Sequence, residues 1–367
     1  MQRNFDTFEI PSNIYPVEVT TNRESIDVTW SDKHNSSYSW KFLQYYQNND
    51  YRAPEDIKPS LWGAEDVSQP SPGVPYDRVM ADDRGVAELT SKIRKYGFAF
   101  VKGTPYDDPK YTKELLERIA FIRETHYGGF YDFTPDLAMA DTAYTNLALP
   151  PHTDTTYFTD PAGLQAFHLL SHVGPPQAPP TTDETPSSSS SSDDNPTAHY
   201  EGRGGSSLLI DGFYAAEILR TKFPSAYEIL STVRLPWHAS GNPGITIAPD
   251  QRFPVLELDK DTGKLHRIRW NNDDRGVVPW DEKYDPTAWY RAARRWANIL
   301  KRKDVRYWVQ LEPGKPLIFD NWRVLHGRSA FTGTRRICGA YINRDDFISR
   351  WRNTNFPREQ ILTRIIG

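Results

Sequence analysis

Residues 151–158 read PHTDTTYF, and this segment decides the fold because it places a histidine and an aspartate two positions apart. Residues i and i+2 of an extended segment project to the same side, so His152 and Asp154 can reach one ion. A third candidate ligand, His326, lies far downstream in residues 321–328, NWRVLHGR. Two histidines and one carboxylate suit non-haem Fe(II), whose facial triad leaves three coordination positions open.

The His-x-Asp tripeptide alone is a weak motif in a chain with nine histidines. A comparable pair, His199 and Glu201, lies beside a serine tract, and we interpret it as incidental. The first motif has a stronger context. An apolar strand is predicted at 163–170, and a short apolar strand at 317–320 leads to the distal histidine.

Two arginines, Arg335 and Arg336, open the next apolar strand at 337–342, nine and ten residues after His326. The order His-x-Asp, then His, then Arg is expected of an iron- and 2-oxoglutarate-dependent oxygenase. The far carboxylate of the ketoacid needs a fixed bidentate partner, which a guanidinium supplies. Without the histidine motifs, a solvated charge at a strand end would be the favoured interpretation.

Three segments make a family resemblance specific: 152–158 (HTDTTYF), 209–216 (LIDGFYAA) and 319–328 (FDNWRVLHGR), the last followed by FTG at 331–333. They resemble the trimethyllysine dioxygenases, in the carnitine-biosynthesis branch of the gamma-butyrobetaine and taurine-type Fe(II)/2-oxoglutarate dioxygenases. The resemblance runs from about residue 76 to 346 and is weaker in the N-terminal segment. It implies a double-stranded β-helix fold. It also implies an enzyme that requires Fe(II), 2-oxoglutarate and O₂, with ascorbate as the reductant.

The resemblance also implies roles for individual residues. The metal ligands, which form the catalytic centre, would be His152, Asp154 and His326. Phe167 and the arginine pair would contact the co-substrate. Arg335 is preferred to Arg336 because the arginine of the family stands four residues before the Gly-Ala-Tyr run, here 339–341.

A cluster of aromatic residues indicates the substrate. A quaternary ammonium cannot donate hydrogen bonds, so a protein selects it with electron-rich ring faces. The resemblance places four tyrosines at the positions of such a cage: Tyr127, Tyr131, Tyr144 and Tyr341. Relatives usually carry Trp where Tyr131 stands. Tyr still offers a ring face, so the resemblance implies weaker binding of the quaternary ammonium and not another substrate class. Any one of these tyrosines on its own would be interpreted as an ordinary packing residue.

The polar end of the substrate distinguishes the two carnitine-pathway enzymes. Trimethyllysine carries an α-ammonium that gamma-butyrobetaine lacks, and Asp141 stands where butyrobetaine enzymes have Asn. Asn271 and Asn272 lie where the family supplies an amide to the substrate carboxylate. Which of the two points inward is open, and adjacent Asn residues also suit a simple turn.

Many short strands with few helices favour a mainly β fold with flanking helices (α+β) and a jelly-roll core over a parallel α/β sheet. We expect a small β-rich N-terminal domain over residues 1–62 and the oxygenase domain over 63–367. The elements predicted around the barrel are helices at 83–96, 110–124 and 287–301, and a hairpin at 255–258 and 265–270.

The Pro- and Ser-rich insertion and the scarcity of cysteine predict further features of the chain. A Pro- and Ser-rich insertion at about 174–204 is expected to be disordered, because it has almost nothing to bury. Relatives can hold zinc in the N-terminal domain through three Cys and one His. Here His34 has no Cys nearby, so no structural zinc is expected. The single cysteine, Cys338, excludes an internal disulfide.

The net charge of −4 gives no reason to expect nucleic acid or a membrane surface as partner. No apolar run approaches the roughly 18 residues needed to span a bilayer. The N-terminus has no evident targeting segment, so a cytoplasmic location is expected, or a mitochondrial one if an N-terminal segment is missing. The partner is a small-molecule substrate, and a homodimer is one expectation for the oligomeric state.

The reaction implied is hydroxylation of N6,N6,N6-trimethyllysine to 3-hydroxy-N6,N6,N6-trimethyllysine, the first step of carnitine biosynthesis. The alternative is gamma-butyrobetaine dioxygenase or another quaternary-ammonium oxygenase. A remote alternative is a non-catalytic ligand-binding barrel. The intact set of His152, Asp154, His326 and Arg335 argues against the last, because a pseudoenzyme is free to lose any of them.

Overall fold

The computed structural model describes residues 6–47, 58–134, 145–174, 204–241, 243–280 and 285–366. The chain divides into two compact units, one formed by Met1–Asp56 with Phe356–Gly367 and the other by Ile57–Asn355. The insertion predicted at 174–204 lies outside the described residues except for its two end positions. Within the described ranges, no helix has both the length and the hydropathy needed to cross a bilayer.

The smaller unit contains a three-stranded antiparallel sheet. Its strands pair in the order β1 (Pro16–Thr21), β2 (Ser25–Trp30) and β3 (Asn35–Ser39). The side-chain oxygen of Asn22 closes the first turn by accepting hydrogen bonds from the backbone of Glu24 and Ser25, at 2.7 and 2.8 Å. Helix α1 (Trp40–Gln47) follows, and another helix spans Arg358–Ile366.

The larger unit is built on two sheets and a hairpin. Its strands are β4 (Gly73–Pro75), β5 (Phe98–Lys102), β6 (Tyr131–Phe133), β7 (Leu149–His152), β8 (Leu164–Val173), β9 (Ser207–Asp211), β10 (Leu256–Leu258), β11 (Leu265–Ile268), β12 (Tyr307–Val309), β13 (Leu317–Asp320), β14 (Val324–Arg328) and β15 (Thr334–Ile342). One sheet has the order β12-β9-β14-β7 and the other β4-β5-β13-β8-β15-β6. Only the β4–β5 pair is parallel among the described pairs. The expected double-stranded β-helix with flanking helices is confirmed.

Seven helices of the described chain flank this core: α2 (Tyr76–Ala81), α3 (Asp83–Tyr96), α4 (Lys110–Ile119), α5 (Gly212–Lys222), α6 (Pro224–Thr232), α7 (Pro286–Leu300) and α8 (Arg344–Asn355). The predicted helix at 83–96 is confirmed. Asp82 caps its start, accepting from two backbone N–H groups, and Gly97 ends it with φ of 80°. The prediction at 287–301 matches α7 to within one residue, and β10 and β11 form the predicted hairpin.

The helix predicted at 110–124 was wrong at its C-terminal end. The helix stops at Ile119, because the following residues join the six-stranded sheet. Ile122 forms an antiparallel bridge with Ile342 on β15. Sheet pairing therefore overrides the helical spacing of the apolar residues in the last turn.

The core has two layers, separated by the four-stranded sheet. On β9, Leu208 and Ile210 pack against helices α5, α6 and α7, whereas Leu209 packs between the two sheets. Strand β14 alternates in the same way, with Leu325 under the helices and Val324 between the sheets. The same alternation turns His326 toward the space between the sheets, where Phe319 lies 4.9 Å from it by ring centroids.

A buried ion pair fixes the end of β9 against the turn that precedes β14. Arg323 donates from Nε and Nη2 to the two carboxylate oxygens of Asp211, at 3.0 and 2.7 Å, and both side chains are at most 2% exposed. The two side chains also form hydrogen bonds with the backbone. Arg323 donates to the carbonyls of Ser60 and Lys95, and Asp211 accepts from the N–H of Trp62. The charges are therefore fully hydrogen-bonded, as buried ions require.

Replacing Asp211 by Ala should lower the free energy of unfolding by about 3 to 5 kcal/mol, because it leaves the Arg323 guanidinium buried without its counter-ion. The matched control is Asp304→Ala, which breaks the surface pair between Arg302 and Asp304 and should cost less than about 1 kcal/mol. Urea unfolding followed by circular dichroism measures both variants. Equal losses of unfolding free energy in the two variants would contradict a larger stabilising role for the buried pair.

Candidate active site

His152, Asp154 and His326 come together at one end of the four-stranded sheet. His152 ends β7 and lies directly opposite His326 in the β7–β14 pairing. Asp154 Oδ1 is 3.1 Å from His152 Nε2 and 3.7 Å from His326 Nε2. In the described part of the chain, this is the group of His, Cys, Asp and Glu side chains whose ligand atoms, all within 4.8 Å of one another, could hold a metal ion. Two imidazoles and one carboxylate oxygen on one side of an ion fit Fe(II) with open positions.

The position of Asp154 is set through its backbone by Asn321. The carboxamide oxygen of Asn321 accepts from the N–H of Asp154 at 2.8 Å, and its Nδ2 donates to the Asp154 carbonyl at 3.0 Å. Nδ2 also donates to the carbonyl of Ala162 at 3.0 Å. Thr155 follows with φ of 57°, a conformation that non-glycine residues adopt rarely. One amide therefore locks the turn that carries the carboxylate.

The outer oxygen of Asp154 is held away from the histidines. Its Oδ2 accepts hydrogen bonds of 2.6 Å from Gln165 Nε2 and from the hydroxyl of Tyr341. Burial opposes ionisation of Asp154, but the two histidines and these donors hold its pKa well below the usual range. Burial and the Asp154 charge raise the pKa of Tyr341 well above normal, so its hydroxyl stays a donor. Oδ1 is thus the oxygen presented to an ion.

The two histidines differ in their pKa. Burial opposes protonation of His152, but the hydrogen bond and charge of Asp154 raise its pKa. Nδ1 of His152 lies 2.8 Å from the carbonyl of Pro150, and because a carbonyl can only accept, Nδ1 carries a hydrogen and Nε2 is the atom that faces Asp154. Burial, together with the neighbouring His152, lowers the pKa of His326 to about 3. An uncharged ring at neutral pH is the form that binds a metal.

Arg335 is a buried guanidinium without a counter-ion among the described residues. It is 1% exposed, and its Nε and Nη1 have no hydrogen-bond partner there. The ring of Phe331 lies 5.0 Å from Cζ, and a Cβ placed on Gly205 would come within 2.9 Å of Nη1. Burial, with a contribution from Arg328, lowers the pKa of Arg335 to about 10, so it stays charged at neutral pH. A buried cation of this kind fits an incoming carboxylate.

One cavity of about 470 Å³ connects the triad with Arg335. Its aromatic wall consists of His126, Tyr127, Tyr131, Phe133, Tyr157, Phe167 and Tyr341. Its acidic and amide side, apart from the triad, consists of Gln165, Asn271, Asp273 and Asp274. The cavity thus joins a triad of metal-ligand type, a carboxylate-binding cation and an aromatic surface suited to a quaternary ammonium.

Comparisons with known proteins agree with this geometry. The Taurine catabolism dioxygenase TauD, TfdA family matches residues 54–341, and the Gamma-butyrobetaine hydroxylase-like, N-terminal family matches residues 1–44. The chain is 68% identical to trimethyllysine dioxygenase of Neurospora crassa, over 100% of this chain and 79% of that protein. It is 37% identical to the mitochondrial trimethyllysine dioxygenase of Homo sapiens, over 96% of this chain and 77% of that protein. The chain belongs to the trimethyllysine dioxygenase family.

Membership of this family makes the chain an Fe(II)- and 2-oxoglutarate-dependent oxygenase that acts on a small molecule. Gamma-butyrobetaine dioxygenase of a Pseudomonas strain is less similar, at 29% identity over 93% of this chain and 82% of that protein. A solved structure assigned as an alpha-ketoglutarate-dependent taurine dioxygenase from Burkholderia xenovorans shares the fold. It has a TM-score of 0.50 and 12% identity, over 78% of this chain and 92% of that one.

The predicted site residues of this trimethyllysine dioxygenase family member fall into three groups. Those that line the cavity are His152, Asp154, His326, Arg335, Phe167, Tyr127, Tyr131, Tyr341 and Asn271. Two do not line it: Arg336 donates to the carboxylate of Asp132 at 2.9 and 2.6 Å on the outer face of β15, and Asn272 accepts from Arg275. The remaining two, Asp141 and Tyr144, lie outside the described residues.

Sequence reasoning missed Gln165, Asn321 and Asp274. For Gln165 a signal existed, because it lies two positions before Phe167 on β8 and so shares its inward face. Asn321 stood in the quoted segment around His326, but its contact with Asp154 depends on how the two segments meet. Asp274 was read as part of a turn, and the structure places it on the cavity wall.

Arg335→Lys should weaken binding of 2-oxoglutarate by about tenfold or more, since Lys keeps the charge but loses the two-pronged geometry. Arg336→Lys is the matched control, because the neighbouring side chain points to the opposite face of β15 and pairs with Asp132. It should leave the dissociation constant unchanged. Calorimetric titration of each metal-loaded variant with 2-oxoglutarate measures the dissociation constant. Weaker binding in Arg336→Lys and unchanged binding in Arg335→Lys would contradict the placement of Arg335 in the cavity.

Tyr341→Phe removes one of the two donors to the outer oxygen of Asp154 and should weaken Fe(II) binding by about tenfold. The control is Tyr131→Phe, which removes a hydroxyl that bonds the carbonyl of Ala166 and not the carboxylate. Its metal affinity should stay within about twofold of wild type, because nothing near the ligand oxygens changes. Anaerobic equilibrium dialysis gives both constants. Equal losses in the two variants would mean that ring packing, and not the hydroxyl, supports the metal site.

Proposed function

We propose that this enzyme hydroxylates N6,N6,N6-trimethyllysine at carbon 3, giving 3-hydroxy-N6,N6,N6-trimethyllysine, the first step of carnitine biosynthesis. The observation that carries the proposal is the 68% identity to the Neurospora crassa trimethyllysine dioxygenase over the whole chain. Support comes from the cavity, which combines the triad, Arg335 and the aromatic wall.

In this proposal, His152, Asp154 and His326 hold Fe(II) and Arg335 takes the distal carboxylate of 2-oxoglutarate. When bound, these groups supply the oxidative decarboxylation that delivers one oxygen atom of O₂ to the substrate carbon. The chain contributes position and environment. Phe167, whose ring lies 5.6 Å from that of His326, keeps the surroundings of the triad apolar and dry. Gln165 and Tyr341 keep the carboxylate of Asp154 in one orientation.

The aromatic wall serves to recognise the trimethylammonium group. Ring faces attract a quaternary cation, and each is worth roughly 0.5 to 2 kcal/mol where water is excluded. The hydroxyl of Tyr131 donates to the Ala166 carbonyl at 2.7 Å, which fixes the ring in an edge-to-face arrangement 6.1 Å from Tyr341. A pre-oriented ring loses little entropy when the cation arrives.

Purified protein with Fe(II), O₂ and 2-oxoglutarate should release succinate in response to trimethyllysine and much less in response to gamma-butyrobetaine. His152→Ala should abolish this release and weaken Fe(II) binding while the fold persists, because the core is formed by the sheets and helices and not by the metal. His34→Ala, a change of an exposed histidine in the smaller unit, is the control and should keep full activity.

A wild-type protein that releases more succinate with gamma-butyrobetaine would favour the alternative substrate. An absence of succinate release with either substrate, with ligand binding retained, would favour the non-catalytic barrel. The cytoplasmic location and the homodimer both stay predictions. The relative from Homo sapiens is named mitochondrial, whereas the relatives from Neurospora crassa and Meyerozyma guilliermondii carry no compartment in their names.

A further inference from the structure

Asp274 is an acid on the cavity wall that has no cationic partner in the described chain. Its Oδ2 accepts a short hydrogen bond of 2.5 Å from the hydroxyl of Thr156. No Arg or Lys of the described residues forms an ion pair with it, although most of the buried carboxylates there do, as Asp211 and Glu257 illustrate. Oδ1 has no hydrogen-bond partner among the described residues, and Asp274 lines the cavity. A partly desolvated carboxylate of this kind is stabilised by a cation, and the ligand can supply one.

The place of Asp274 relative to the triad matters as much as its charge. Thr156, which holds it, stands two residues after Asp154. Burial, with a contribution from the Asp154 carboxylate, raises the pKa of Asp274 to about 7. The hydrogen bond to Thr156 and the shared cavity lining place Asp274 in the part of the cavity next to the candidate metal ligands.

Asn271, on the same turn, offers a hydrogen-bond donor where Asp274 offers an acceptor. Its side-chain oxygen accepts from the N–H of Asp273 at 3.1 Å, which fixes the orientation of the carboxamide. Nδ2 is then the free end, with no acceptor among the described residues, and Asn271 lines the cavity. The 271–274 turn thus offers an amide donor and a carboxyl group side by side.

The chemistry of trimethyllysine matches that pair. The α-carbon carries both an ammonium and a carboxylate, and it is bonded directly to carbon 3, where hydroxylation occurs. The groups that hold the zwitterion must therefore lie next to the triad, whereas the trimethylammonium nitrogen is four bonds beyond carbon 3 and can reach the aromatic wall. A des-amino betaine would leave the acid unmatched.

We propose that Asp274 accepts hydrogen bonds from the α-ammonium of the substrate, beside the Asn271 amide that the family resemblance already assigns to the α-carboxylate, so that the 271–274 turn selects an α-amino acid over a simple betaine. This assignment rests on the proposed function. Asp141, which the sequence favours for the same ammonium, is the rival residue.

The test compares two ligands on one protein. Wild type and Asp274→Asn are loaded with Fe(II) and 2-oxoglutarate without oxygen, and the dissociation constants of trimethyllysine and of its des-amino analogue, 6-(trimethylammonio)hexanoate, are measured by calorimetry. The variant should bind trimethyllysine about tenfold or more weakly, because a charge-assisted hydrogen bond is lost. Its affinity for the analogue should change by less than about threefold, since that ligand has no ammonium to lose.

Asp261→Asn is the matched control, because it makes the same change on an exposed acid in the turn between β10 and β11, outside the residues that line the cavity, and should leave the ratio of the two constants unaltered. Thr156→Val is a second route to the answer if Asp274→Asn does not fold, as judged by circular dichroism. It removes the hydroxyl that orients Asp274 and should weaken trimethyllysine binding selectively, by about threefold.

Equal losses for both ligands would overturn the assignment, because they would mean that Asp274 only supports the local structure. Selective loss in Asp141→Asn with none in Asp274→Asn or Thr156→Val would overturn it as well and give the role to Asp141. Failure of the proposed function would be visible in the wild type, as an absence of trimethyllysine-dependent succinate. Failure of the Asp274 assignment would be visible only in the ratios of the variants.

Discussion

The antiparallel pairing of β7 with β14 is the constraint on which the site depends. It places His152 directly across from His326, with ring centroids 4.3 Å apart. The side-chain period of a strand is two, so a slip of one residue would turn His326 toward the helices and bring Leu325 into the cavity. The register is protected because Leu325 is fully buried under those helices and Val324 is fully buried between the sheets.

Asn321 links this register to the third ligand. It lies just before β14 and bonds both backbone groups of Asp154, so the segment that supplies one histidine also positions the carboxylate. Arg323, two residues later, anchors the same turn to Asp211 at the end of β9. The triad is thus organised by backbone contacts of the barrel, which is why removal of one ligand is expected to affect metal binding far more than folding.

Much of this could be predicted from the sequence, because the decisive signals are local. The His-x-Asp spacing, the distal histidine after a strand and the arginine pair at a strand start indicated the fold and the candidate ligand set. Alternation along β15 decides between Arg335 and Arg336, and the structure turns Arg336 outward to Asp132. The helices at 83–96 and 287–301 had clear capping residues and matched.

Contacts between distant segments were the part that sequence could not supply. The hydroxyl of Tyr341 reaches Asp154 only because β8 and β15 pair, which brings Gln165 opposite Tyr341. The sequence placed Tyr341 among the substrate aromatics but could not reveal this second contact. Likewise, the choice between Asn271 and Asn272 depends on the direction of one turn, and no periodic pattern extends through residues 271–274 to fix it.

Two ionisable groups of the cavity wall, Arg335 and Asp274, have no ion-pair partner among the described residues. Arg335 lacks a counter-ion at one part of the wall and Asp274 lacks one at another, and both stay apart because they belong to β15 and to the turn after β11. Each costs stability in the free protein, since a buried or half-buried charge is poorly solvated. A ligand of the matching sign recovers that cost, whereas a ligand of the wrong sign adds repulsion. In the proposed assignments, a dicarboxylate co-substrate and a cationic substrate would therefore be directed to different walls of one cavity by electrostatics, in addition to shape and ring contacts.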